Sequence, residues 1–293
     1  MFIATLIASE RLSAGDISEA SDRLIRAGLR VERSHWIDEG IAADIAFNGD
    51  PLAARGALER SLAATDIVVQ PAEGRRKQLL VADMDSTMIT VECIDELADY
   101  AGIKPQIADV TERAMRGELD FADALDARVA LLKGLDEGAI ARCLEERVEI
   151  MPGAELLVRT MRGWGATTIL VSGGFTRFAE PVADRIGFER VLANRLLIED
   201  GVLTGKVEKP IVDSSTKQAT LEAAIGHLDI DDHLSMAVGD GANDLAMIRR
   251  AGLGVAYHAK PIVAQAAGAR IDHGDLSALL YAQGVPRSGW VAD

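Results

Sequence analysis

Three short stretches of the chain carry residue types that could do chemistry together. Asp83-Met84-Asp85-Ser86-Thr87 offers two carboxylates two residues apart, which at a strand end can face the same way and present both groups to one ligand. Ser172-Gly173-Gly174 supplies a hydroxyl and backbone amides unscreened by side chains. Gly239-Asp240-Gly241-Ala242-Asn243-Asp244 joins glycines that permit tight turns to two carboxylates and an amide. Singly, each has a plain structural explanation: a solvated acidic loop, a helix cap, a glycine turn. All three terminate short apolar runs, however, and ligands of open parallel sheets gather beyond the carboxyl ends of the strands. Together they make an oxygen-rich set suited to a hard cation such as Mg²⁺.

The elements that must position these residues follow from hydrophobic period. LLVADMD, ATTILVSGG, SMAVGDGAND and GLGVAYHA are short β-branched runs separated by helical segments, which predicts an α/β fold with a doubly wound, mostly parallel sheet buried on both faces. A hairpin, RLLIEDGVLTGKV, is expected to turn at Asp200-Gly201. Helical sequence from about residue 90 to 150 is too long for a simple crossover and is expected to cap the site.

Residues 1–70 follow a different grammar, FIATLIA, SAGDISEASDRLIRAG, LRVERSHWI, IAADIAFN, DPLAARGALERSLA and DIVVQ, whose period alternates between 2 and 3.6. The order βαββαβ predicts a small ferredoxin-like domain. PAEGRRKQ then breaks the pattern, so the expected boundary is at residue 75, with domains 1–75 and 76–293.

Composition narrows the function. With 46 acidic and 31 basic residues the net charge is −15, which repels phosphate backbones and anionic lipid, so neither nucleic acid nor a membrane is expected as a partner. Any anionic substrate must be neutralised locally. Cys93 and Cys143 lack CxxC spacing, and MFIATLIASER shows neither a basic leader nor a small-residue cleavage site, so a reducing, cytoplasmic setting is expected. The five histidines have no HExxH spacing, no GxxxxGK[ST] occurs, and VSGGF is not GxSxG.

DMDSTMI, LVSGGF, Lys217 and VGDGANDLAM, in that order, resemble the four motifs of the haloacid dehalogenase superfamily over about residues 78–260. The resemblance implies Asp83 as a nucleophile forming an aspartyl-phosphate, with Mg²⁺ held by Asp83, the Asp85 main-chain carbonyl and Asp240. It further implies Asp85 as general acid and base, and Ser172, Gly173, Gly174, Lys217 and Asn243 around the phosphate. Asp244 would stand behind them, orienting Lys217 or a metal-bound water. By itself Lys217, in SSTKQATL, reads as a surface lysine one turn into a capped helix; its position between the second and last motifs argues for the phosphate role.

Within the superfamily the cap resembles that of the phosphoserine phosphatases, which implies O-phospho-L-serine as substrate and serine biosynthesis as context. Glu92 and Arg128 would then match the substrate's ammonium and carboxylate, and Met115 and Phe121 would close an apolar lid. Without the motifs around them, Glu92 reads instead as an exposed helix residue, Arg128 as an ion-pair partner of Asp123 or of the neighbours of Asp126, and Met115 and Phe121 as ordinary core. Other small phosphomonoesters, such as phosphohomoserine or phosphothreonine, fit the same motifs. The βαββαβ unit resembles an ACT-type domain, which implies serine sensing or a homodimer through the N-terminal domain.

Overall fold

Near-continuous apolar strands flanked by capped amphipathic helices build two main sheets, a six-stranded one buried on both faces and a four-stranded one whose outer strand is polar and largely exposed. The computed structural model describes residues 1–116 and 118–291. The N-terminal unit runs β1 (Phe2–Ala8), α1 (Ala14–Arg26), β2 (Arg30–Asp38), β3 (Ala42–Asn48), α2 (Pro51–Leu58) and β4 (Thr65–Pro71), as the period predicts. Ser13 and Asp16 form a capping box on α1, and Asp50 caps α2 with Pro51 in its first turn. The strands pair antiparallel in the order β2-β3-β1-β4. Helix α2 is shorter than its sequence suggests, because Glu59 is extended and Arg60 turns to φ +58°.

The second unit begins with β5 (Leu79–Ala82) and a helical insertion, α3 (Cys93–Tyr100), α4 (Lys104–Met115), α5 (Phe121–Leu131) and α6 (Gly138–Arg147). An Ile89–Ile150 bridge closes the base of the insertion. The chain continues through α7 (Ala154–Gly163), β6 (Thr167–Phe175), α8 (Thr176–Ile186), β7 (Arg190–Asn194), the hairpin β8 (Leu196–Glu199) and β9 (Val202–Val207), and α9 (Ser214–Leu228). It ends with β10 (Ser235–Gly239), α10 (Leu245–Arg250), β11 (Leu253–Tyr257), α11 (Pro261–Ala266), β12 (Ala269–Ile271) and α12 (Ala278–Ala282). Six parallel strands lie in the order β12-β11-β10-β5-β6-β7. The strands that end in the three candidate motifs are therefore neighbours, with β5 in the middle. No helix among the described residues is long and apolar enough to cross a membrane.

Asp200 and Gly201 both have positive φ, as a tight hairpin turn between β8 and β9 requires. This hairpin reaches the cap: Gly134 N–H donates to Leu203 O, Leu203 N–H to Leu135 O, and Lys209 pairs with Asp126 at 2.8 Å.

The two units are joined by more than a linker. One face of the N-terminal sheet (Leu6, Ile45, Phe47, Ile67) packs on α1 and α2, while Ile7, Ala42 and Val68 from the other face enter the hydrophobic cluster of the second unit. Polar residues on that second face are matched to backbone across the junction. Asp66 accepts from the N–H groups of Asp272, His273 and Gly274, and Gln70 donates to Ala282 O. Two of the three cations of PAEGRRKQ are embedded here: Arg75 is bound to Asp44 and Thr5, and Lys77 is buried with its ammonium on the carbonyls of Gly74 and His233, while the exposed Arg76 lies over the Trp164 ring. Burial pulls Lys77 down to about 8.

Candidate functional site

The parallel register places Ala82 opposite Val238 on one side and Leu170 on the other, and Asp83 N–H donates to Val238 O at 3.0 Å. The Asp83, Ser172 and Asp240 segments thus emerge at one edge of the sheet, under the cap. A cleft of about 360 Å³ opens there. Its core wall includes Asp83, Asp85, Gly173, Gly174, Asp240 and Asn243, and its cap wall includes Glu92, Phe121 and Arg128. The side chain of Met115 lies outside the described residues.

Asp83 is buried, and both of its contacts fall on Oδ1: the N–H of Met84 at 2.8 Å and the ammonium of Lys217 at 2.6 Å. Lys217 is 1% exposed, far from the surface lysine that its helix position alone suggests, because α9 turns its first coils under the sheet edge. Its ammonium also meets Asp244 Oδ1 at 2.8 Å. Burial alone would pull this lysine down, but Asp83 and Asp244 outweigh it and hold the ammonium above the ordinary lysine range. Asp244 Oδ2 accepts from Gly241 N–H. Burial first, then the charge of Asp83, push Asp244 up to about 7 and Asp240 up to about 6. Asp83, Asp240 and Asp244 each bring an oxygen within 4.8 Å of the others and could hold a metal ion.

Asp85 Oδ1 accepts from Cys93 N–H at 3.0 Å and its Oδ2 lies 3.4 Å from Ser172 Oγ. Burial, Glu92 and Asp83 push it up to about 7. Ser172 is itself buried and accepts from Gly174 N–H at 2.8 Å, so its hydroxyl braces the loop behind Asp85, whereas Gly173 and Gly174 form the cleft surface. A Cβ on Gly174 would stand 2.9 Å from Asp85 Oδ2 and 3.0 Å from Ser172 Oγ, so only glycine lets backbone approach this closely.

On the cap, Glu92 precedes α3 and accepts from Ser86 Oγ at 2.8 Å. Arg128 does not pair with Asp123 or Asp126; its Nε donates to Ala124 O, and the charges acting on it are Asp95, Glu92 and Asp85. Phe121 is 37% exposed and lies over Gly173, a lid position rather than core. Sequence reasoning passed over three cleft or supporting residues. Asp95 and Lys260 line the cleft. Asn194, buried at the end of β7, donates to Gly173 O at 2.8 Å and accepts from Val212 N–H at 2.7 Å, tying the glycine loop to the segment that launches α9. An amide ending a strand in LANR was the available signal. Replacing Asn194 with Leu should release both loops and lower kcat about 10- to 100-fold, the scale seen when supporting partners of a site are removed, with cleft geometry read by the rate at saturating substrate.

Residues 80–249 match the family model of haloacid dehalogenase-like hydrolases. The chain is 46% identical over 208 residues to a phosphoserine phosphatase of Albidiferax ferrireducens, covering 69% of this chain and 88% of that protein. It is 45% identical over 213 residues to phosphoserine phosphatase SerB2 of Mycobacterium tuberculosis, covering 73% of this chain but about half (52%) of that longer relative. Among solved structures, a probable phosphoserine phosphatase from Vibrio cholerae in unliganded form superposes with a TM-score of 0.75 at 32% identity, covering 96% of this chain and 88% of the other.

Proposed function

The chain belongs to the haloacid dehalogenase-like hydrolase family, and we propose that its cleft hydrolyses O-phospho-L-serine to L-serine and phosphate. The observation that carries this reading is the pairing, across one cleft, of the Asp83–Asp85 edge of the sheet with Glu92 and Arg128 of the cap. A zwitterionic amino acid esterified to phosphate needs a nucleophile at one end and one charge of each sign at the other.

Asp83 Oδ2 attacks phosphorus, because Oδ1 is held by Lys217 and Met84 N–H. The bond from phosphorus to the serine oxygen breaks as the aspartyl-phosphate forms. Asp85, whose proton is retained near neutrality, gives that proton to the departing alkoxide and then takes one from the water that attacks phosphorus, breaking the bond to Asp83 Oδ2 and releasing phosphate with the Asp83 carboxylate restored. The Gly173 amide and Asn243 hold the phosphate oxygens, the Gly174 amide being committed to Ser172 Oγ. Lys217, fixed by Asp244, balances charge beneath Asp83. The ammonium of Lys217 pairs with Asp83 and Asp244 and acts on Asp240; these three carboxylates bring oxygens within 4.8 Å of one another, and an all-oxygen donor set of that charge fits a small divalent cation. Asp83, the Asp85 carbonyl and Asp240 would hold Mg²⁺, which when bound offsets repulsion between carboxylate and phosphate.

Turnover of phosphoserine against phosphothreonine and phosphohomoserine tests the reading; a clear preference for either rival overturns the substrate. EDTA should stop turnover and Mg²⁺ restore it, whereas Ca²⁺ should restore little, since its larger, looser shell can engage both oxygens of Asp83. Full activity with Ca²⁺ contradicts the proposed site.

The proposed division at residue 75 rests on the cleft, all of whose lining residues lie beyond it. A chain starting at Arg76 should fold by circular dichroism and hydrolyse phosphoserine, with a lower melting temperature because Ile7, Ala42, Val68 and Asp66 are gone. A folded but inactive product would mean that the first 75 residues complete the site. A homodimer through the N-terminal unit would use β2, the exposed outer strand of its sheet, which sedimentation of a charge-reversed Arg33→Glu variant can detect.

A further inference from the structure

Charge in the cleft is unevenly supplied. Asp83, Asp85, Glu92, Asp95 and Asp240 all line it, against two cations, Arg128 on the cap and Lys260 on the core. Lys217 stands behind the wall, committed to Asp83 and Asp244. An anion entering this cleft therefore meets its first positive charge on the core side at Lys260.

The backbone at Lys260 is held firmly. Its N–H donates to the carbonyl of Asp240 at 3.1 Å, and its own carbonyl accepts from Val263 and Ala264 as α11 begins. Pro261 restricts the first helical residue, and His258, two residues earlier, is anchored by its N–H to Ile271 O. The side chain, by contrast, is exposed and enters no hydrogen bond or ion pair among the described residues. The backbone of Lys260 is thus fixed to the carbonyl of Asp240, and its charge acts on the Asp240 carboxylate. That carboxylate groups with Asp83, which puts Lys260 at the nucleophile end of the cleft, whereas Arg128 faces Asp95 and Glu92 at the cap end.

We propose that Lys260 is a further substrate-binding residue, whose ammonium pairs with an oxygen of the substrate's phosphate and draws that dianion past the carboxylates at the cleft mouth. This rests on the reading of the cleft as a phosphomonoesterase site. The two cations then divide the substrate between them, Lys260 at the phosphate and Arg128 at the carboxylate. A single exposed charge at a site's rim acts mainly on capture and on salt dependence, and less on the chemical step.

The test compares wild type, Lys260→Gln and Lys260→Arg, each with Mg²⁺ present. Three quantities are measured: kcat and KM for phosphoserine between low and high salt, and the affinity for inorganic phosphate by calorimetry. In Lys260→Gln, KM and the phosphate dissociation constant should both rise about tenfold, kcat should change less than about threefold, and kcat/KM should lose part of its salt dependence. Lys260→Arg should recover most of the phosphate affinity. Unchanged phosphate affinity in Lys260→Gln, or a fall in kcat with KM and salt dependence unaltered, overturns the proposal. Phosphate binding is read without turnover, so a wild-type protein inert toward phosphoserine would sink the substrate reading while the phosphate measurement still decides the role of Lys260.

Discussion

Asp83→Asn should lower turnover of O-phospho-L-serine by about 10³-fold or more, since an amide is a poor nucleophile and no second carboxylate can take over the attack. Asp85 also lines the cleft, but its oxygens are engaged by Cys93 N–H and Ser172. The substitution should leave the fold intact, because Lys217 keeps Asp244 as a partner at 2.8 Å. Labelled substrate in a single turnover should transfer phosphate to the wild-type chain and none to the variant. Asp85→Asn separates the two roles: it should bind substrate yet lose turnover, because an amide cannot protonate the alkoxide. If Asp83→Asn still turns over substantially, and label maps to another residue, the assignment of the nucleophile is wrong.

The second large effect lies far from the cleft. Asp44, 1% exposed on β3, receives Arg75 through both of its oxygens and Thr5 Oγ1 at 2.8 Å, while Arg75 also donates to the carbonyls of Tyr281 and Ala282. Asp44→Ala leaves that largely buried guanidinium without its counter-charge, which costs up to about 3–5 kcal/mol. For a chain of this size the melting temperature should fall by about 10 °C. Replacement by Asn, which keeps an acceptor for Arg75 and Thr5, should cost less. Because no cleft residue lies in the first 75, kcat of the folded Asp44→Ala protein should match wild type. A melting shift under about 2 °C would show that water already solvates Arg75 and that the junction is looser than its hydrogen bonds imply. A loss of kcat at full folding would show instead that the N-terminal unit supports the cleft.

Arg75 also marks where reading the sequence stopped. PAEGRRKQ was recognisable as a break, since proline, glycine and clustered charge interrupt any period, but its cations are among the most engaged on the junction. Their partners, Asp44, His233 and the α12 carbonyls, lie 31 or more residues away along the chain. Asn194 and Lys260 escaped notice for the same reason. Each acts through a partner segment, Gly173 with Val212 and Asp240 respectively, that only the ordering of β7, β6 and β11 brings close.

By itself the sequence determined what depends on neighbours along the chain. The strand ends at Asp83, Ser172 and Asp240, the βαββαβ order, the turn at Asp200-Gly201 and the helical insertion after β5 all follow from hydrophobic period, caps and turn residues, which act within a few positions. Tertiary structure decided what depends on pairing at a distance. It put β5 between β10 and β6, so that three separate motifs share one edge, and it buried Lys217 against Asp83 where its own helix would allow a surface position. It also turned Ser172 inward to brace Asp85 and left Gly173 and Gly174 as the cleft surface. Strand order and side-chain direction at the sheet edge are set by which surfaces bury each other, and that is a property of the whole chain.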